Sequence, residues 1–399
     1  MLTQERPVAP PNRPDGRPSG APRAAVRAKV TRSARRHPLL ASALVALALL
    51  ALVNVLLAIP ALRRPLDVRS DGLSDYARLQ RCESLGHAPD VLFLGSSRAL
   101  YSADAHQVDA TLAAQGHATL SCNLGRMGAN FQNDYYTFKR MVEDGVVPKL
   151  LVENLWENNL NVNAPSPMDG QGTNLLQVAR MADLGDLSDF SRYLGTRGLP
   201  PAPAYVAAKL LPLYGDRIGV LHTLCGTLTA GPCAADTNEW DPGTTAVYAT
   251  SDDRGWTPMS AYSLANVPPA TLESQYATLY SSIFPGTQHF AIGGQQPDYL
   301  AAMIALAKAH GVRVALVVTP VAPVYFKFFD RGLTDWNMIM AYWTQFARGH
   351  GVAFYDESRA PGYAPADFQD PHHLTTAGAL KFSTWAAREI VTPALFGSH

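Results

Sequence analysis

From Pro38 to Leu62 the chain carries no charged side chain and only Ser42 and Asn54 as polar interruptions, a run of 25 residues. About 20 apolar residues suffice to cross a bilayer as a helix, and hydrocarbon offers a backbone amide no partner outside its own helix. The run therefore predicts one transmembrane helix over 38–62. Ahead of it, residues 1–37 hold eight Arg and one Lys against only Glu5 and Asp15, with many Pro and Ala. Such a composition cannot bury a core and reads as a disordered basic tail. Because the basic excess precedes the helix, although Arg63 and Arg64 follow it, the positive-inside rule puts the N-terminus in the cytoplasm. The expected location is the inner (cytoplasmic) membrane, crossed once, with the rest periplasmic or extracellular. A cleaved signal peptide is the alternative, against which stand the length of the run and the lack of a clear small-x-small site after it.

The net charge of +0 over 399 residues hides this arrangement, since a basic tail must be balanced by an acidic excess elsewhere. That excludes nucleic acid as the partner of the main body. Residues 63–86 read as a juxtamembrane linker or helix, and 87–395 as one large domain with an insertion at about 160–295. Four cysteines facing an oxidising compartment allow two disulfides. Cys225 and Cys233 flank the turn residues Gly226 and Gly231-Pro232 and are the favoured pair. Cys82 and Cys122 form the other pair or leave Cys122 as a buried thiol on a strand. No Cys-x-x-Cys or His-x-x-x-His spacing supports zinc, and no cofactor is expected.

Past residue 87 the pattern alternates. Val91–Leu94, Thr119–Asn123, Leu150–Leu155, Val312–Val318 and Val352–Tyr355 read as strands. Residues 98–114, 131–143, 299–309 and 336–348 read as helices. This predicts an α/β fold, a parallel sheet covered on both faces by helices, with reactive groups gathered where loops leave the carboxyl ends of the strands.

Four segments stand at such positions. Gly95-Ser96-Ser97-Arg98 ends the first strand, where a serine needs a base to become a nucleophile or simply caps a helix. Asn123-Leu124-Gly125-Arg126-Met127-Gly128 follows the second strand, and its glycines let a backbone N–H approach an oxyanion. Pro148 to Asn159 is a strand opening into an Asn-rich loop whose amides can donate without carrying charge. Last, Asp370 lies three residues before His373, close enough for the carboxylate to fix the imidazole tautomer, with His372 as competitor. Each segment alone also reads as ordinary turn or capping chemistry.

Taken in order, the four resemble the SGNH hydrolase superfamily, also called GDSL-like esterases, over about 87–160 and 296–390. The resemblance implies a flavodoxin-like three-layer α/β/α domain. Gly95-Ser96-Ser97 matches the first block with Ser96 in place of the usual Asp, which makes Ser97 the nucleophile and Ser96 the fallback. Asn123-x-Gly125-x-x-Gly128 matches the second and makes Gly128 an oxyanion donor. The third block puts Asn158 at the oxyanion Asn, with Trp156 at the usual Gly, Asn159 at the usual Asp, and Asn154 as substitute. Asp370-x-x-His373-Leu374 matches the last block and completes a triad of Ser97, His373 and Asp370.

The layout of one N-terminal helix carrying such a domain is also similar to bacterial surface-polymer modification proteins, of the D-alanyl-lipoteichoic acid transfer and alginate acetyltransferase-like kinds. It implies a serine esterase or O-acyltransferase acting on an envelope glycan beside a membrane-bound O-acyltransferase partner. A degenerate domain that only binds glycan or scaffolds a complex is the non-enzyme alternative, and a membrane lipase a third. Residues 160–295 fall outside the resemblance. Their aromatics, among them Tyr205, Trp240, Trp256 and Tyr262, read as core or as sugar-stacking surface beside the active face.

Overall fold

The computed structural model describes residues 36–57, 75–163, 181–191, 201–215, 250–259, 263–268, 270, 271, 274 and 287–397. The chain divides into two compact units, Met1–Leu52 and Val53–His399. Helix α1 (Arg36–Leu57) is long and apolar enough to cross a membrane over Leu40–Leu57, and Leu40, Leu44, Leu47 and Leu49 along it are exposed.

The second unit is built on a parallel sheet of β1 (Val91–Gly95), β2 (Ser121–Asn123), β3 (Leu150–Asn154), β4 (Arg313–Val318) and β5 (Ala353–Asp356). Its spatial order is β2-β1-β3-β4-β5, the flavodoxin-like order, in which the chain reverses direction across the sheet at β1 and β3. Every residue of β1 and β3 is buried, as expected of strands covered on both faces. Leu92, Leu94, Leu151 and Leu316 join one apolar cluster with α2 (Asp75–Glu83), α5 (Phe131–Glu143), α7 (Gln296–Ala309) and α8 (Leu333–His350). Val91, Phe93, Val152 and Val317 face the opposite way, onto α4 (Ala105–Ala113) and α9 (Thr376–Ala386). Each fully buried leucine or phenylalanine contributes about 1.5–3 kcal/mol, so the period-two division of β1 between two cores fixes its register.

The helix expected over 98–114 is two helices, α3 (Ser97–Ser102) and α4. Asp104 causes the break: its carboxylate accepts from Gln107 N–H at 3.0 Å as the N-cap of α4, while its own N–H donates to Ser383 Oγ at 2.8 Å. Capping competes with continuation of a helix at Asp. The other expected strands and helices of the sheet layers are present with ends shifted by a few residues.

Cys82 and Cys122 form a disulfide with Cα atoms 6.1 Å apart, tying α2 to β2. Cys225 and Cys233 lie outside the described residues, as do Trp240 and Tyr262. Tyr205 is buried in helix α6 (Ala202–Leu210), so its ring is core there.

Candidate active site

At the carboxyl end of β1 the backbone of Gly95 turns at φ 131°, and a Cβ there would lie 2.7 Å from Asn154 O and 2.8 Å from Asn154 Cβ. Glycine thus lets β1 and β3 converge before the chain enters α3. Ser96 is buried and caps α3, its hydroxyl accepting from Arg98 N–H at 3.4 Å. Ser97 is more exposed and stands 2.8 Å, Oγ to Nε2, from His373.

Asp370 and His373 sit opposite one another in the antiparallel hairpin of β6 (Phe368–Asp370) and β7 (His373–Leu374). One carboxylate oxygen of Asp370 accepts from the backbone N–H groups of His372 and His373, both at 2.9 Å. The other meets His373 Nδ1 at 2.6 Å. With the Nδ1 proton directed to the carboxylate, Nε2 is left to accept from Ser97. Burial opposes ionisation of Asp370, but the imidazoles beside it, His373 above all, and these hydrogen bonds hold its carboxyl well below the usual range. His372 lies beside His373, ring centroids 3.9 Å apart, with its Nδ1 3.5 Å from Asp370 and its ring centroid 5.7 Å from that of Tyr325. Burial, reinforced by His373, pushes its pKa well down, which keeps its imidazole neutral.

The second segment is wired to α3 by Asn123. Its amide nitrogen donates to Ala99 O and Ala103 O, both at 2.8 Å, while its oxygen accepts from Gly125 N–H at 2.7 Å. A Cβ on Gly125 would overlap Leu100 N and Ala99 Cβ, so this glycine serves close packing against α3. Gly128 follows at φ 64°, just before Asn130, which caps α5 reciprocally with Asn133. Arg78 from α2 donates to Gly125 O at 2.6 Å and Asn123 O at 3.0 Å, holding the same turn from behind.

The third segment enters a short 3-10 turn, Glu157–Leu160. Glu157 accepts from Arg98 Nη2 at 2.8 Å, with both side chains about 1% exposed, and also from the Tyr325 hydroxyl. Because Arg98 directly follows Ser97, this buried ion pair draws the turn bearing Asn158 toward the start of α3. The side-chain oxygens of Asn158 and Asn159 are buried without a hydrogen-bond partner. Asn154 pairs in register with Gly95 at the end of β3, and neither atom of its buried amide has a partner. Ser97, His373 and Asp370 are thus bonded in series, and Asn154 and Asn158 stand on β3 and the turn beyond it.

Arg98, Glu157, Tyr325 and Arg78 escape a reading of the sequence. Arg98 and Glu157 are 59 residues apart and nothing local marks them as partners. A charge inside each of two apolar-flanked motif segments is the only signal they leave. Among the described residues, two sets of ligand atoms cluster within 4.8 Å, Asp370 with His372 and His373, and His106 with Asp252 and Asp253. The first set is committed to the series ending at Ser97. In the second, His106 bonds Asp253 at 2.6 Å, and Asp252 accepts from Arg254 and Trp256 N–H at 2.9 Å.

One family model matches residues 289–394, less than half of the chain. No curated protein matches it. Among solved structures, a candidate acylhydrolase from Bacteroides fragilis NCTC 9343 is similar over 79% of this chain and 94% of its own, at 14% identity and a TM-score of 0.32. Likeness at that level carries no argument about chemistry.

Proposed function

We propose that the protein is a serine-dependent acyl esterase or O-acyltransferase, of the SGNH kind, acting on a cell-envelope polysaccharide outside the cytoplasmic membrane. The observation that carries this reading is the unbroken series Ser97 Oγ to His373 Nε2 at 2.8 Å and His373 Nδ1 to Asp370 at 2.6 Å. Ser97 Oγ attacks the acyl carbon of an ester donor while its proton passes to His373 Nε2. The imidazolium so formed is stabilised by the Asp370 carboxylate. Collapse of the tetrahedral intermediate breaks the bond to the leaving alkoxide, which takes the proton from His373. An acceptor hydroxyl then gives its proton to His373 and attacks the acyl-enzyme, and Ser97 leaves with that proton restored. Water in the same place yields a carboxylic acid. Gly128 N–H and the Asn158 amide are the proposed oxyanion donors, with Asn154 the alternative. Helix α1 supplies the membrane anchor, and a multi-pass O-acyltransferase is the proposed source of acyl groups.

A scaffold without catalysis has no need of an imidazole bonded between a serine and a carboxylate, which favours the enzyme. The test incubates the full chain in detergent with p-nitrophenyl acetate, with and without an oligosaccharide acceptor, beside Ser97→Ala and His373→Ala. The expected result is a Ser97-dependent acetyl adduct by mass, discharged faster by acceptor than by water if the protein is a transferase. A folded wild-type protein that forms no adduct, and is not labelled by a serine-directed phosphonate, would overturn the proposal.

A further inference from the structure

Residues 251–259 belong to the insertion that no motif explains. Their turn is closed on itself: Asp252 N–H donates to Trp256 O at 2.8 Å, and the Ser251 and Thr257 hydroxyls meet at 2.6 Å. The turn is also fastened to the sheet unit at every step. Asn123 N–H donates to Arg254 O at 2.8 Å. Arg254 Nη1 reaches Asp109 at 3.2 Å and Ser121 O at 3.1 Å. Arg78 Nη2 donates to Gly255 O at 2.7 Å. At Gly255, φ is 89° and a Cβ would overlap Asn123 O, so a glycine is required for the approach.

The far end of the segment reaches the helix that begins at Ser97. Trp256 Nε1 donates to Tyr101 O at 2.9 Å, and Thr257 N–H to Leu100 O at 3.2 Å. Beyond them, Thr376 N–H at the start of α9 donates to Met259 O at 2.8 Å. Tyr101 lies one turn along α3 from Ser97, and its ring packs edge to face with the His373 imidazole, centroids 5.2 Å apart and planes at 87°. Its hydroxyl is 3.0 Å from Met127 Sδ. Burial and the charge of Asp370, against that of Arg78, push the phenol up to about 12, so it remains a donor whose acceptor is a weak one. Met127 and Met259, both part-exposed, pack on Leu100 and Tyr101.

We infer that Tyr101, Met127 and Met259, braced by the 251–259 segment, form a fixed uncharged wall beside Ser97 that receives the acyl group, and that this group is a short neutral aliphatic acyl chain. The inference rests on the acyl-enzyme reading. Tyr101 is a positioning residue in this arrangement, holding the His373 ring in line with Ser97. The two thioethers present a soft apolar surface, and none of the three side chains carries a charge to pair an aminoacyl ammonium, which the wall therefore disfavours relative to acetyl.

The experiment uses the full chain in detergent and measures acylation of Ser97 by p-nitrophenyl acetate, butyrate and hexanoate and by an alanyl ester. The variants are Tyr101→Leu, Tyr101→Phe, Met127→Ala and Met259→Ala. Wild type is expected to prefer acetate over the alanyl ester at least tenfold. Tyr101→Leu should lower kcat by ten- to a hundredfold with KM little changed, and Tyr101→Phe, which keeps the ring, should restore most of that loss. Each Met→Ala change should move the preference toward hexanoate at least fivefold. An adduct on Ser97 whose rate and chain-length preference ignore all four substitutions would overturn the wall and leave the acyl-enzyme reading intact. No adduct on wild-type Ser97 from any ester would overturn both.

Discussion

Replacing Arg98 by Met tests whether the buried pair with Glu157 holds the two active-face segments together. Both side chains are about 1% exposed, so the change leaves a carboxylate with the Tyr325 hydroxyl and no cation. Breaking a buried pair from one side costs about 3–5 kcal/mol, and a domain of this size loses roughly 2–4 °C of melting temperature per kcal/mol. Thermal unfolding by near-ultraviolet circular dichroism should therefore show Tm lowered by about 6–20 °C. Glu157→Met alone should cost a similar amount, because it takes the carboxylate away from a buried guanidinium. The double variant Arg98→Met with Glu157→Met removes both charges and should recover to within ~1–2 kcal/mol of wild type, more fully with Tyr325→Phe added, since an apolar set of similar volume replaces a desolvated ion pair. Single variants that cost under about 1 kcal/mol, or a double variant that costs the sum of the singles, would refute the reasoning.

Asp370→Asn should lower the rate of phosphonate labelling at Ser97 by about 10³–10⁴-fold without unfolding the chain, because the amide no longer selects the Nδ1–H tautomer of His373. Replacing Cys82 and Cys122 by Ser should cost ~4 kcal/mol, the loop-closure value for their 40-residue separation, read as a lowered denaturation midpoint that matches the reduced wild type. Burial, with Asp356 and Glu389 nearby, pushes Glu357 up to about 7. The folded state therefore holds a proton that the unfolded chain releases near 4.5, and stability should fall as pH rises from about 4.5 to about 7. Glu357→Gln should flatten that slope and raise stability above pH 7 by ~1 kcal/mol, the full shift being reduced by solvent around a part-exposed group; an unchanged slope would count against it. Gly95→Ala should destabilise the unit, since its Cβ would meet Asn154 at 2.7–2.8 Å with φ at 131°.

The sheet was legible because its strands are short continuous apolar runs between turn residues and its long helices carry apolar positions at helical spacing. Phe131–Glu143 needed only that pattern. Asp370 and His373 were legible for another reason: a three-residue spacing keeps acid and base within reach whatever the rest of the chain does. The break between α3 and α4 was hidden because Asp104 caps only once Ser383, far away in sequence, accepts its N–H. The same holds for Arg98 with Glu157 and for Arg78 with three carbonyls. These are partnerships made by folding, and no local pattern announces them. The 251–259 segment is the extreme case, since its Asp-Asp-Arg-Gly-Trp reads as a loop until β2 and α3 are there to receive it.

Ser97 and His373 enter the chain at opposite ends of the domain, 276 residues apart, while His373 and Asp370 share one hairpin. During synthesis the Ser97 hydroxyl is made early and has no imidazole to bond until the β6–β7 hairpin, 276 residues later, has emerged. On the proposed function, a chain cut before that hairpin carries an inert alcohol at Ser97, and docking of the hairpin with α9 works as an arming step.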